Sequence, residues 1–205
     1  YKHVIFDLDR TLWDFDRVSH EVLSELFSEY IQPHTQFSFE YFHGIYAVIN
    51  SGLWEQYRHH EIEKEFLRVK RFSLALEEIG LDRPWIANEM ADEYVKRTAD
   101  HAYLFPGTME LLSYLKEKGY VLSVMTNGFK EAQYPKIARS GIGPYFEYLF
   151  ISEEIGFNKP DIRIFEFALK KMDAMPNEVI FVGDDYEVDI EGAAAAGMDQ
   201  VFFNP

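Results

Sequence analysis

The chain has no cysteine among its 205 residues. That excludes disulfides and thiolate metal sites. A reducing cytoplasm is the natural compartment for such a chain. No apolar run approaches the roughly 20 residues needed to cross a bilayer. No secretory signal segment is visible at the start. We therefore expect neither a membrane partner nor secretion. Positive charge is also scarce: 20 Lys and Arg face 35 Asp and Glu, a formal net charge of −15. A nucleic-acid polymer is a poor partner for that balance. A small anionic substrate is awkward too, unless a bound cation reverses the local field.

Core material is plentiful. Hydrophobic residues make up 47% of the chain and aromatics 17%, enough for one large domain or one domain with a smaller companion. Four short apolar, β-rich segments run into polar residues: HVIFDLD (3–9), VLSVMTNG (121–128), YLFISEE (148–154) and VIFVGDD (179–185). A fifth, QVFFN (200–204), comes last. Such segments read as buried parallel strands. Helical patterns at about 107–118, 130–140, 161–172 and 188–196 separate the later ones. Strand alternating with helix means an α/β fold with a parallel sheet. In FPGTMELLSYLKEKG, Pro106-Gly107-Thr108 opens a helix, Leu111, Leu112 and Leu115 form its apolar face, and Gly119 ends it.

Residues 16–100 break the alternation. Val22, Leu23, Leu26, Phe27 and Tyr30 share one helical face, as do Ile62, Phe66, Val69, Phe72, Leu76 and Ile79. This predicts an all-helical domain inserted between the first strand and the rest. The core is then residues 1–15 with 101–205. The chain opens at Tyr1 and its last strand reaches Pro205 with no covering helix, so we expect the natural protein to extend further.

Open parallel sheets bind ligands at the carboxyl ends of their strands. Asp7 and Asp9, Thr126 and Asn127, and Asp184 and Asp185 all follow strands, and Lys159 lies in the loop GFNKPD. Each alone has a plain explanation. A strand-end Asp caps or turns the chain, TNG is a turn, Lys159 is a solvated charge, and Asp189 sits in the first turn of a helix. Together they converge on one rim, and four separate accidents would have to choose the same edge. Clustered carboxylates cannot all ionise cheaply, and a divalent cation removes the difficulty. Oxygen ligands suit Mg²⁺. A lysine and a threonine hydroxyl beside it suit a phosphoryl group. One carboxylate is left as nucleophile and another as acid–base.

The motifs resemble a known family. DLDRT, with Asp7, Asp9 and Thr11, resembles motif I (DxDxT) of the haloacid dehalogenase-like (HAD) superfamily. Thr126 in SVMTNG resembles motif II, Lys159 in NKPD motif III, and GDDYEVDIEGAAAAG, with Asp184 and Asp189, motif IV. The resemblance implies a Rossmann-like parallel sheet with helices on both faces, and makes the insertion a helical cap of type C1. DLDRTLWDF, NSGLWEQY and Arg71-Phe72 are similar to the YjjG-type nucleoside 5′-monophosphate phosphatases. Arg10 stands where motif I usually carries Asn, Asp or Gly, and a glycine usual near His60 is absent.

Carried over, the roles are these. Asp7 would attack phosphorus and become an aspartyl phosphate. Asp9 would protonate the leaving oxygen and then activate water. Mg²⁺ would be held by Asp7, Asp184 and the Asp9 carbonyl, with Asp185 and Asp189 behind it or linked through water. Thr126, the Asn127 backbone and Lys159 would hold the phosphate. Trp13, Asp14, Asn50, Trp54 and Arg71 are the candidate contacts to the rest of a small phosphorylated metabolite. Arg71 and Trp54 also fit a bland reading, as exposed charge and bundle packing. His59-His60 does not read as a metal site, since helical neighbours diverge. A receiver-like phospho-acceptor module, a phosphomutase and a dehalogenase compete with the phosphatase. The insertion and Asp9, two residues from the nucleophile, argue against the first. Asp9 also argues against a dehalogenase, whose halide leaving group needs no proton.

Overall fold

The computed structural model describes residues 1–204. The chain divides into two compact units, one of residues 1–15 with the chain from Asp100 onward, the other Asp16–Ala99.

The first unit is built on a five-stranded parallel sheet. Its strands are β1 (His3–Phe6), β2 (Val121–Thr126), β3 (Phe146–Ile151), β4 (Val179–Gly183) and β5 (Asp199–Phe202), in the order β3-β2-β1-β4-β5. β1 is central, with Phe6 registered against Val124 on one side and Val182 on the other. The strand order reverses beside β1, and such a switch point opens a crevice at the carboxyl ends of the strands.

Helices cover both faces of the sheet: α5 (Thr108–Glu117), α6 (Lys130–Arg139), the single turn α7 (Ser152–Ile155), α8 (Ile162–Met172) and α9 (Gly192–Ala195). Side chains alternate along each strand. Ile5, Met125 and Phe181 therefore join Ile164, Phe165, Ala168 and Met172 of α8 in one core. Val4, Phe6, Leu122 and Val124 are buried at the alternate positions.

Three details depart from the sequence pattern. The first strand stops at Phe6, because the Leu8 carbonyl accepts from Thr11, Leu12 and Trp13 and turns the chain. The helix expected from 188 begins as a π-helical turn at Tyr186–Glu191. On α5, Leu112 is buried but Leu111 is exposed, so its apolar face is narrower than the leucines suggest.

The second unit is all helical. It holds nearly all of α1 (Phe15–Leu26), then α2 (Phe39–Arg58), α3 (Lys64–Glu78) and most of α4 (Pro84–Asp100). Phe27, Phe42, Tyr46, Phe72 and Tyr94 run through its interior as successive ring contacts. The buried stripe of α3 is Leu67, Arg71, Phe72, Ala75 and Leu76. Phe66, placed on that face by its spacing, is exposed instead, because Leu67 takes the inward position. Tyr30 is only half-buried. His59 and His60 follow the end of α2, and His60 adopts a left-handed φ of 58°. Among the described residues, no helix is long and apolar enough to cross a membrane.

Candidate active site

β1 delivers Asp7 to the middle of the sheet edge, where its N–H continues the ladder to the Val182 carbonyl at 2.9 Å. The side chain is buried. Its Oδ1 accepts from Lys159 Nζ at 2.6 Å. Its Oδ2 is buried with no hydrogen-bond partner. Lys159 also donates to Asp189 Oδ1 at 2.6 Å. Asn127 fixes the loop that carries this lysine. Its Oδ1 accepts from Lys159 N at 2.8 Å, and its Nδ2 donates to Lys159 O at 2.9 Å. Thr126 is buried at the end of β2, with Oγ1 accepting from Gly128 N at 3.1 Å. Four sequence-distant motifs thus meet at one end of the sheet.

The third carboxylate comes from β4. Asp184 Oδ1 accepts from Thr11 Oγ1 at 3.2 Å, and one oxygen each of Asp7, Asp184 and Asp189 lie within 4.8 Å of one another. Three carboxylates and one ammonium leave two negative charges uncompensated. Burial, with Asp189 adding, pushes the Asp184 carboxyl up to about 6 against the pull of Thr11, Arg10 and Lys159. Burial likewise raises Asp7, with Asp189 and Asp184 adding to the effect and Lys159 opposing it. Burial alone would depress Lys159, but Asp189 and Asp7 more than offset it and its pKa is raised. Without a further cation, the site relieves itself by binding protons. The donor set fits Mg²⁺: hard oxygens, a double charge deficit and an open buried oxygen on Asp7.

Asp9 lies apart from this cluster. Its carboxylate accepts from Gln133 Nε2 at 2.9 Å and Lys136 Nζ at 2.7 Å, both on α6. The turn at Leu8 separates the two aspartates, so the strand rule that puts side chains two apart on one face does not govern them. Arg10 takes φ 70° in this turn. That left-handed position explains why Asn, Asp or Gly is usual there.

Asp185 donates its backbone N–H to Asp189 Oδ2 at 3.2 Å. It is exposed, and its Oδ1 caps the following turn by accepting from Glu187 N and Val188 N at 3.1 and 3.0 Å. It points at backbone, not at the carboxylate cluster. Asp189 is the buried one, and it stands in the cluster itself.

Of the candidate substrate contacts, Trp13 is fully buried and its indole N–H has no hydrogen-bond partner. It packs as a core side chain, with Lys136 Nζ 4.1 Å from its ring centroid, and offers no exposed face for stacking. Asp14 is half-buried, with its N–H on the Tyr103 carbonyl at 2.9 Å. In the helical unit, Arg71 Nη1 donates to Asn50 Oδ1 at 3.3 Å. Arg71 is buried rather than exposed, and its guanidinium sits over Tyr94 at 4.7 Å and Phe72 at 5.2 Å. Trp54 is half-buried and meets Tyr57 edge-on at 5.6 Å.

Gln133 and Lys136 were not among the candidates from sequence, and the structure buries them with Ala132 and Ile137 on one stripe of α6.

A model of haloacid dehalogenase-like hydrolases matches residues 1–197. The pyrimidine 5′-nucleotidase PynA of Streptococcus pneumoniae is 32% identical, over 100% of this chain and 84% of its own length. The pyrimidine 5′-nucleotidase YjjG of Escherichia coli is 30% identical, over 98% of this chain and 85% of its own. The crystal structure of the HAD-hydrolase YfnB of Bacillus subtilis bound to magnesium superposes with a TM-score of 0.91 at 28% identity, covering 100% of this chain and 89% of that one.

Proposed function

The chain belongs to the haloacid dehalogenase-like hydrolase family, and we propose that its reaction is Mg²⁺-dependent hydrolysis of small phosphate monoesters through a phosphorylated Asp7. It is a hydrolase of the phosphoric monoester class. The observation that carries the mechanism is the divided surroundings of Asp7. Lys159 holds one oxygen, and the other is buried without a partner. A nucleophilic carboxylate needs a fixed orientation and compensated charge: the Lys159 ammonium steadies Oδ1, and Oδ2 is the oxygen left open to a cation.

In this reading Asp7 attacks phosphorus and the bond to the leaving oxygen breaks, with Asp9 supplying the proton. Water then attacks the phosphorus, Asp9 takes its proton, and the bond to Asp7 breaks to release phosphate. Lys159, the Thr126 hydroxyl and the Asn127 backbone hold phosphoryl oxygens. Asp7, Asp184 and the Asp9 carbonyl would hold Mg²⁺, with Asp189 beside them. When bound, the ion supplies the missing double charge and keeps Asp7 ionised.

We assign substrate selection to the helical insertion, through Asn50, Trp54 and Arg71, and take a pyrimidine nucleoside 5′-monophosphate as the substrate. Similarity to PynA and YjjG supports that choice. A turnover screen of pyrimidine and purine 5′-monophosphates and sugar phosphates tests it. Phosphate release should need Mg²⁺, favour pyrimidine nucleotides and vanish in Asp7→Asn. Full turnover in EDTA after dialysis, or in Asp7→Asn, would overturn the mechanism. Preference for a sugar phosphate would overturn the substrate.

A further inference from the structure

α6 brings two buried polar side chains to Asp9. Gln133 and Lys136 are three residues apart, so they share one helix face. Both are almost fully buried, with exposures of 1% and 3%. Each holds a different oxygen of the Asp9 carboxylate: Gln133 Nε2 lies 2.9 Å from Oδ2 and Lys136 Nζ 2.7 Å from Oδ1. Among the described residues, Asp9 is the only carboxylate in ion-pair range of Lys136. The rings of Trp13 and Phe15 flank the ammonium at 4.1 and 5.4 Å.

The neighbouring backbone is cut to fit. A Cβ on Gly128 would lie 1.6 Å from Gln133 Nε2, so a side chain at 128 and this amide cannot share the space. A charge buried among aromatics needs a fixed counter-ion, and a carboxylate gripped at both oxygens cannot rotate. From this geometry we propose that Lys136 and Gln133 are positioning residues, which lock the Asp9 carboxylate in the orientation that proton transfer requires.

This inference rests on the phosphatase reading, in which Asp9 gives its proton to the leaving oxygen and then takes one from water. Both clamp residues meet Asp9 at its carboxylate, not at the backbone carbonyl assigned to the metal, and neither bonds to Asp7 or Asp184. Their loss should therefore slow the proton transfers and spare substrate affinity. A displacement of about 1 Å can cost on the order of 100-fold, so a loss of 10- to 100-fold is expected. How much the first step suffers depends on the leaving group. An alkoxide needs the proton, and p-nitrophenolate hardly does.

The test compares wild type, Lys136→Met and Gln133→Leu with Mg²⁺ on a series of esters running from p-nitrophenyl phosphate to alkyl phosphates. Wild-type turnover comes first, and its absence would sink the phosphatase reading rather than the clamp. In both variants kcat/KM should fall by about 10- to 100-fold on alkyl phosphates and stay within about threefold on p-nitrophenyl phosphate. The aryl ester should also give a burst of p-nitrophenolate, because the second step has lost its oriented base. Lys136→Arg should recover part of the alkyl activity. The Mg²⁺ dependence should not move. Equal losses on every ester, or no loss on any, would overturn the proposal. Gln133→Leu guards against misfolding of the lysine variant, and crystal structures of both variants give a readout free of activity. An Asp9 carboxylate left in place in them would also overturn it.

Discussion

At the scale of a residue, Gly183 shows how little freedom the site has. It ends β4 directly before Asp184. A Cβ there would lie 2.4 Å from Asp189 Oδ2 and 2.5 Å from its Cβ and Cγ. The clash includes the stem of Asp189, so a rotation of the carboxylate alone cannot relieve it. Asp189 must move, and Lys159 loses one of its two anchors. Gly183→Ala should weaken Mg²⁺ binding by about 10- to 100-fold, the usual cost of disturbing a partner behind a metal ligand. Calorimetric titration of the metal-free protein checks this, and unchanged affinity would mean that metal binding does not depend on where Asp189 stands. The sequence marked Gly183 only as part of a motif. Its role depends on how close Asp189, six residues later, comes to it, which no pattern along the chain displays.

Elements were legible where their surroundings are simple. β1, β2 and β4 read as apolar runs because the sheet buries both of their faces. Asp7, Thr126 and Asp184 were legible because they lie at or just past strand ends, where the chain must turn. α6 was legible as a helix but not as a part of the site. Gln133 and Lys136 are residues that usually face water, and only contact with Asp9, more than 120 residues earlier, makes them inward-facing. Asp185 and Asp189 read alike in the sequence, and the structure separates them: Asp185 caps the π-helical turn at Tyr186–Glu191, and Asp189, within that turn, is buried. α9 gives an element-scale prediction. Gly192 opens it, and a Cβ there would meet the Phe165 ring at 2.8 Å and Pro160 Cα at 3.2 Å. Phe165 cannot yield easily, being fully buried against Phe181 at 5.5 Å. Alanine ordinarily favours a helix over glycine by about 1 kcal/mol, but overpacking costs about 1–3 kcal/mol. Gly192→Ala should therefore destabilise the protein. Gly44, inside α2 with nothing within 4 Å of a built Cβ, should gain stability on the same change. Urea midpoints of the two variants should move in opposite directions, and a shared direction would mean that propensity or packing had been weighed wrongly.

For the whole molecule, charge sets the conditions under which the fold is stable. The chain carries a formal −15, and its buried carboxylates are the most strained part of that charge. Asp184 is held at about 6 by burial and by Asp189, and burial raises Asp7 as well. Unfolded aspartates titrate near 3.9. From about pH 4 through 6 for Asp184, and on to about 8 for Asp7, the folded chain therefore binds more protons than the unfolded one. Stability then falls as pH rises, because slope follows the difference in bound protons. That contribution is favourable in acid and is lost once both carboxyls ionise. A Mg²⁺ ion held as proposed would reverse the sign at neutral pH, because it would compete with protons for the ionised cluster and stabilise the fold in proportion to how much tighter it bound the folded state. The rise in melting temperature on adding Mg²⁺ should be small at pH 5, grow through pH 6 and level off once Asp184 and Asp7 are ionised. Thermal melts at matched ionic strength, with Na⁺ replacing Mg²⁺ as control, measure this directly. Asp184→Asn should remove most of the Mg²⁺-specific gain, since it deletes both a ligand and a titrating group. A gain equal at pH 5 and pH 8, or one that Na⁺ reproduces, would mean that the ion screens the acidic surface and does not occupy the cluster of Asp7, Asp184 and Asp189.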